Sequence, residues 1–146
     1  PKWHLIPVAL GGATTMIEFH ESTGGNQECG SILEPNNQYF EPMPYRTIEV
    51  PMYTVSEFIS QTGVGSPEVI WMDVQGNELE VMYGMEKHLD TLQMLWTEVT
   101  YKPYYKQQIC VEDYDRVFGL WGFEKIHDEV GIEGWFGNAC YRRKSV

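Results

Sequence analysis

Basic residues are scarce in this chain. Its 10 Lys and Arg stand against 21 Asp and Glu, a net charge of −11. Before Val69 the only basic residues are Lys2 and Arg46. Such a surface repels phosphate backbones and anionic lipid headgroups, which argues against nucleic acid or a membrane as partner. The one basic cluster, Arg142, Arg143 and Lys144, is too short for a nucleic-acid footprint. Cysteine is sparse as well. Cys29, Cys110 and Cys140 are widely spaced, with no CxxC and no metal-ligand spacing, so a reducing, cytoplasmic setting is expected. No apolar run approaches the ~18 residues of a membrane span. His4, His20, His88 and His127 are scattered, with no pair at helical ligand spacing, and no metal site is expected. Phosphate-cradling loops are missing too. There is no GxxxxGK[ST], and the Gly63-Val64-Gly65 stretch precedes a strand pattern where a dinucleotide fingerprint must follow one.

What is present is an apolar and aromatic chain of 146 residues, 42% hydrophobic and 14% aromatic. That suits one globular domain able to bury roughly 70% of its unfolded surface without a metal or disulfide. Residues 4–10 read as a short buried strand and 14–20 as a second. Residues 21–45 are rich in Gly, Asn, Glu and Pro and read as a long loop, a feature often tied to function. Residues 45–53 are extended, and Thr54 or Ser56 caps a short helix ended by Gly63. The strand at 68–72 stops at Asp73. A helix pattern starts near Asn77, where Asn77 and Glu80 form a candidate capping box, and runs to Leu89. Gly84 inside it implies close packing. Residues 92–99 form the next strand, 111–121 a helix, 123–130 a strand, 131–134 a turn and 135–143 a closing strand. This alternation predicts an α/β fold with a mostly parallel sheet and a C-terminal antiparallel hairpin.

Ligands of open parallel sheets bind outside the carboxyl ends of the strands. Asp73 and Glu98 both fall there, and neighbouring strands would place them on one edge about 5 Å apart. The alternative is that Asp73 caps the turn and Glu98 is solvated. Tyr101, Tyr104 and Tyr105 follow Glu98 and can stack on a sugar or base, or pack over the sheet edge. Cys110 precedes a helix, a position that lowers a thiol's pKa; a buried bystander is the alternative.

Taken in order, several segments resemble the FkbM family of S-adenosylmethionine-dependent methyltransferases. IEVPMYTVSEFI (48–59) is similar to its strand and "TLD-x-F" helix start. IWMDVQGNELEVMYGM (70–85) resembles its "K-x-D-x-x-G-x-E-x-x-x-L-x-G" motif at Asp73, Gly76, Glu78 and Gly84. LWTEV (95–99), Gly122-Phe123, WFGNACY (135–141) and IPVALGG (6–12) resemble further family segments, so nearly the whole chain is covered. Trp71 stands where the family usually has lysine, and Ser56 where it has aspartate.

The resemblance implies a Rossmann-like class I methyltransferase sheet that starts at about its third strand. The first βαβ unit, with its glycine-rich loop and ribose-binding acid, is not in these residues, so a single, partial domain over 1–146 is expected. It implies S-adenosylmethionine as cofactor, held at Asp73, Val74, Gln75 and Gly76. Asp73 and Glu98 would be catalytic, and Glu78, Tyr101, Tyr104 and Tyr105 would meet a glycan or small-molecule acceptor. Two functions follow: O-methylation of an acceptor hydroxyl, or a truncated, catalytically silent module that binds a partner. In either, a homodimer is the simplest cover for a bare sheet edge.

Overall fold

The computed structural model describes residues 4–24, 29–38, 44–131 and 134–145. Parts of the expected long loop (25–28 and 39–43) and of the expected turn (132 and 133) lie outside the described residues. Strand β1 is only Ala9–Leu10, and β2 is Thr15–Ser22. The strand expected over 4–10 is short because Pro7 has no N–H to give a ladder and Leu5 stands exposed. Strand β3, Tyr45–Tyr53, pairs with β2 antiparallel and with β1 parallel. Helix α1, Val55–Thr62, begins where Thr54 Oγ1 accepts the Glu57 N–H at 3.0 Å. It ends at Gly63, whose φ of 71° is the left-handed C-cap conformation.

Strand β4, Val69–Met72, leads into helix α2, Glu78–Tyr83, and a 3-10 turn, Glu86–Thr91. The single helix expected to Leu89 is therefore broken. The break comes at Glu86, whose φ of 49° is left-handed; at Gly84, just before it, a Cβ would stand 2.3 Å from the Gly11 carbonyl oxygen, so the chain passes against backbone at this point. The capping box also does not form. Asn77 instead donates its side-chain amide to the Leu10 carbonyl at 3.1 Å, which ties the start of α2 to the end of β1.

Strand β5, Met94–Thr100, helix α3, Val111–Leu120, strand β6, Phe123–Val130, and strand β7, Phe136–Arg143, complete the fold. The strands form two sheets, ordered β1-β3-β2 and β4-β5-β7-β6. Only β1/β3 and β4/β5 are parallel; β2/β3, β5/β7 and β6/β7 are antiparallel. The expectation of one mostly parallel sheet is corrected here. The β6–β7 hairpin places β7 between β5 and β6, which makes two of the three ladders of the larger sheet antiparallel.

The core lies between this sheet and the helices. Leu95 and Val99 of β5 alternate inward to meet Val81, Met82, Tyr114 and Phe118. Burial of a side chain such as Phe118, fully shielded here, contributes roughly 1.5–3 kcal/mol. The other face of the sheet carries a row of rings. Trp71 and Trp96 are register neighbours with centroids 5.6 Å apart, and Trp96 stacks on His127 at 5.4 Å. Trp71, on the outermost strand, is 79% exposed. Among the described residues no helix is long and apolar enough to cross a membrane.

Candidate active site

Parallel pairing of β4 with β5 sets Met72 against Thr97. The next residues, Asp73 just past the end of β4 and Glu98 still within β5 and paired with Asn138 of β7, therefore stand side by side near the carboxyl edge of the sheet. A tight turn follows Asp73. Gln75 has a φ of 55° and Gly76 of 102°, both in the left-handed region. Glu78 holds that turn closed. Its Oε1 accepts the N–H groups of Val74 and Gly76 at 3.2 Å each, and its Oε2 accepts the Tyr114 hydroxyl at 2.7 Å. Glu78 is 2% exposed. Burial pushes its carboxyl up from the usual range, while Tyr114 and the backbone N–H groups oppose the rise.

The acceptor contact expected of Glu78 is thus corrected: its oxygens serve the turn and do not line the cavity. The amides of Val74 and Gly76 are likewise committed to Glu78, so neither N–H is offered to a cofactor. Space at Gly76 is taken by protein, since a Cβ there would meet Leu33 Cδ1 at 2.9 Å and Gln108 Nε2 at 3.1 Å.

The Gln75 side chain joins the two acids. Its amide nitrogen donates to Asp73 Oδ1 at 2.7 Å and to Glu98 Oε2 at 3.0 Å. Glu98 is pushed up to about 8, first by burial and then by the charges of Asp73 and Glu78. A carboxyl with that affinity holds its proton at neutral pH and releases it in mildly alkaline solution.

Asp73, Gln75 and Glu98 line a cavity of about 300 Å³ together with Thr100, Tyr104 and Phe136. Tyr105 and Gln108 complete its wall. Tyr105 is 2% exposed, and its hydroxyl lies 2.8 Å from Gln75 Oε1 and 3.0 Å from the Cys29 carbonyl, sharing its one proton between them. Gln108 Oε1 accepts the Tyr104 and Tyr105 N–H groups, and its amide donates to Thr100 Oγ1. Tyr101 is placed elsewhere. Its hydroxyl bonds Asp128 on β6, so the acceptor role expected of it is not supported by its position.

The described part of the long loop closes over this arrangement. Ser31 Oγ donates to the Gln75 carbonyl at 2.7 Å. Asn36 N–H reaches the Tyr104 carbonyl, and Lys106 N–H the Glu34 carbonyl. Asp73 also opens onto a groove of about 350 Å³ along β4, lined by Leu10, Ile59, Ile70 and Trp71, and onto a 220 Å³ cavity beside Ala9 and Phe19. None of the three cavities is lined by Lys, Arg or His among the described residues. The Cys110 thiol is pushed up by burial and by Glu112 and Asp113, so the position before α3 does not activate it.

Residues 2–130 match the methyltransferase FkbM domain. The chain belongs to the FkbM methyltransferase family. It is 30% identical over 116 residues, 74% of this chain, to the 2-O-methyltransferase NoeI of Sinorhizobium fredii (strain NBRC 101917 / NGR234). The aligned region is 48% of that protein, so the FkbM chain described here spans about half the length of this relative. No solved structure matches it.

Gln75, expected beside a cofactor, instead joins the two acids, and Gln108 organises the wall without having been singled out in the sequence. Gln108, Cys29 and Phe136 had no sequence signal, because only the folded chain brings them to Glu98.

Proposed function

We propose that this FkbM domain supplies the acceptor-side half of an O-methyltransferase acting on a hydroxyl of a glycan or other polyhydroxylated molecule, with S-adenosylmethionine as donor. The observation that carries the proposal is the meeting of Asp73 and Glu98, bridged by one amide, near the carboxyl ends of two parallel strands and at the wall of one cavity. The 2-O-methyltransferase name of the relative supports transfer to oxygen. The cavity wall supports the acceptor class: two carboxyl groups, two amides and two tyrosines, with no cation among the described residues to bind a phosphate.

The residues present fit the cationic end of S-adenosylmethionine. Asp73 is exposed and opens onto all three cavities, none of which offers a competing positive charge. Asp73 and the Gln75 side chain would hold that end. When bound, the donor supplies an electrophilic methyl group on a sulfonium. The chain's own residues do the rest. An acceptor hydroxyl in the cavity donates to Glu98 once that carboxyl has ionised, at about pH 8 and above, and the carboxylate takes the proton as the oxygen gains its methyl. Asp73 orients the hydroxyl, while Tyr104 and Phe136 pack against the acceptor's ring and exclude water.

The test uses radiolabelled-methyl S-adenosylmethionine with the 146-residue chain and a panel of neutral oligosaccharides. Incorporation into an oligosaccharide, reduced about 100-fold or more by Glu98→Gln, supports the assignment. Full turnover in Glu98→Gln, or binding of S-adenosylmethionine with transfer only to nitrogen acceptors, would sink it.

A further inference from the structure

Gln75 occupies a backbone conformation that few side chains other than glycine adopt. A residue held there is over-determined by its surroundings. Here the surroundings are identifiable. The Ser31 hydroxyl grips the Gln75 carbonyl at 2.7 Å, the Tyr105 hydroxyl fixes its side-chain oxygen at 2.8 Å, and the amide nitrogen then faces both acids. An ionised Asp73 carboxylate can only accept, so it takes the amide N–H end and leaves Oε1 for the Tyr105 hydroxyl.

We propose that Gln75, locked by Tyr105, is the positioning residue of this site: its amide sets the separation of Asp73 and Glu98 and turns their remaining oxygens toward the cavity. This rests on the methyltransferase reading only for its consequence, since the clamp itself is a property of the chain. A carboxylate pair this close, with no bridging donor, would splay apart or hold a shared proton more tightly. The amide lets the two acids sit together while Glu98 still ionises at an accessible pH. The groups that face Glu98 are Asp73 at the end of β4, Glu78 on α2, Tyr114 on α3 and Tyr105 in the loop after β5.

The experiment is carbon-detected NMR titration of Glu98 in the 146-residue chain with labelled glutamate, comparing the parent with Gln75→Asn and Tyr105→Phe. Asparagine tolerates the left-handed conformation but is one methylene too short to reach both acids. Its loss of the bridge should raise Glu98's proton affinity about tenfold, and Tyr105→Phe should move it less in the same direction. An unmoved midpoint in a folded variant, judged by an otherwise unchanged amide spectrum, overturns the proposal. Should Gln75→Asn not fold, Tyr105→Phe decides alone. The titration needs no methyl donor or acceptor. A moved midpoint therefore supports the clamp whether or not this chain transfers methyl, and methyl transfer with an unmoved midpoint overturns the clamp and leaves the enzymatic reading standing.

Discussion

Replacing Glu98 by glutamine tests the electrostatics of the site without reference to any substrate. Glu98 titrates near pH 8 in the folded chain against a usual carboxylate value of 4.5. At about 1.4 kcal/mol per pH unit, that gap is a differential interaction on the order of 5 kcal/mol. Glu98 is only partly buried, so solvent screening reduces it to about 2–3 kcal/mol. The sign follows from linkage. The folded state binds the Glu98 proton more tightly than the unfolded state, so this group's contribution is fully present below about pH 4.5 and is lost as pH rises through 8. Glutamine is nearly the same shape, keeps an oxygen to accept from Gln75, and never ionises. The variant should therefore gain on the parent by about 2–3 kcal/mol between pH 5 and pH 9. For a chain of this size that is a widening of about 5–10 °C in melting temperature. Urea denaturation at the two pH values measures it. Parallel stability curves for parent and variant would refute the reasoning, because they would mean that Glu98 ionises in the folded chain as it does in the unfolded one.

Three further predictions concern the frame of the site. Tyr114→Phe withdraws the only side-chain donor to the buried Glu78 carboxylate among the described residues and should cost about 1.5–3 kcal/mol. The loss should be larger at pH 8 than at pH 5, because burial already holds the Glu78 carboxyl above its usual range; an equal loss in urea melts at both would contradict the role assigned to Glu78. Gly84→Ala drives a methyl into the Gly11 carbonyl and should destabilise by about 1–3 kcal/mol, whereas Gly119→Ala, in helix α3 with nothing within 4 Å of its Cβ, should stabilise by roughly 0.5–1 kcal/mol. Calorimetric melting of the pair checks both signs. Thr54→Ala removes the cap of α1 and should lower stability by about 1 kcal/mol; an unchanged melting temperature would show that the cap is replaced by water.

Where local rules act alone, the residues are legible without a structure. Thr54 and Gly63 bound α1 because a hydroxyl cap and a left-handed glycine are chemistry of neighbouring residues. The apolar run ending at Asp73 and the alternation of 94–100 made two strands whose carboxyl ends carry acids. Period and punctuation suffice for that. The same rules failed at Asn77, whose side chain reaches Leu10, 67 residues away, and not its own helix. They failed again at Glu86, whose left-handed φ of 49° ends the helical run where no glycine marks it.

The sequence by itself determined the α/β class, the family motif around Asp73 and the candidate pair Asp73 and Glu98. Tertiary structure alone decided which strands are antiparallel, because β7 inserts between β5 and β6 and no local signal encodes that order. It also decided what each polar residue does. Glu78 and Tyr105 sit inside the protein and support the site, Tyr101 turns away to Asp128, and Gln75 stands between the acids. Such roles depend on which donors lie within about 3 Å across long sequence separations, and that distance exists only once the chain has folded.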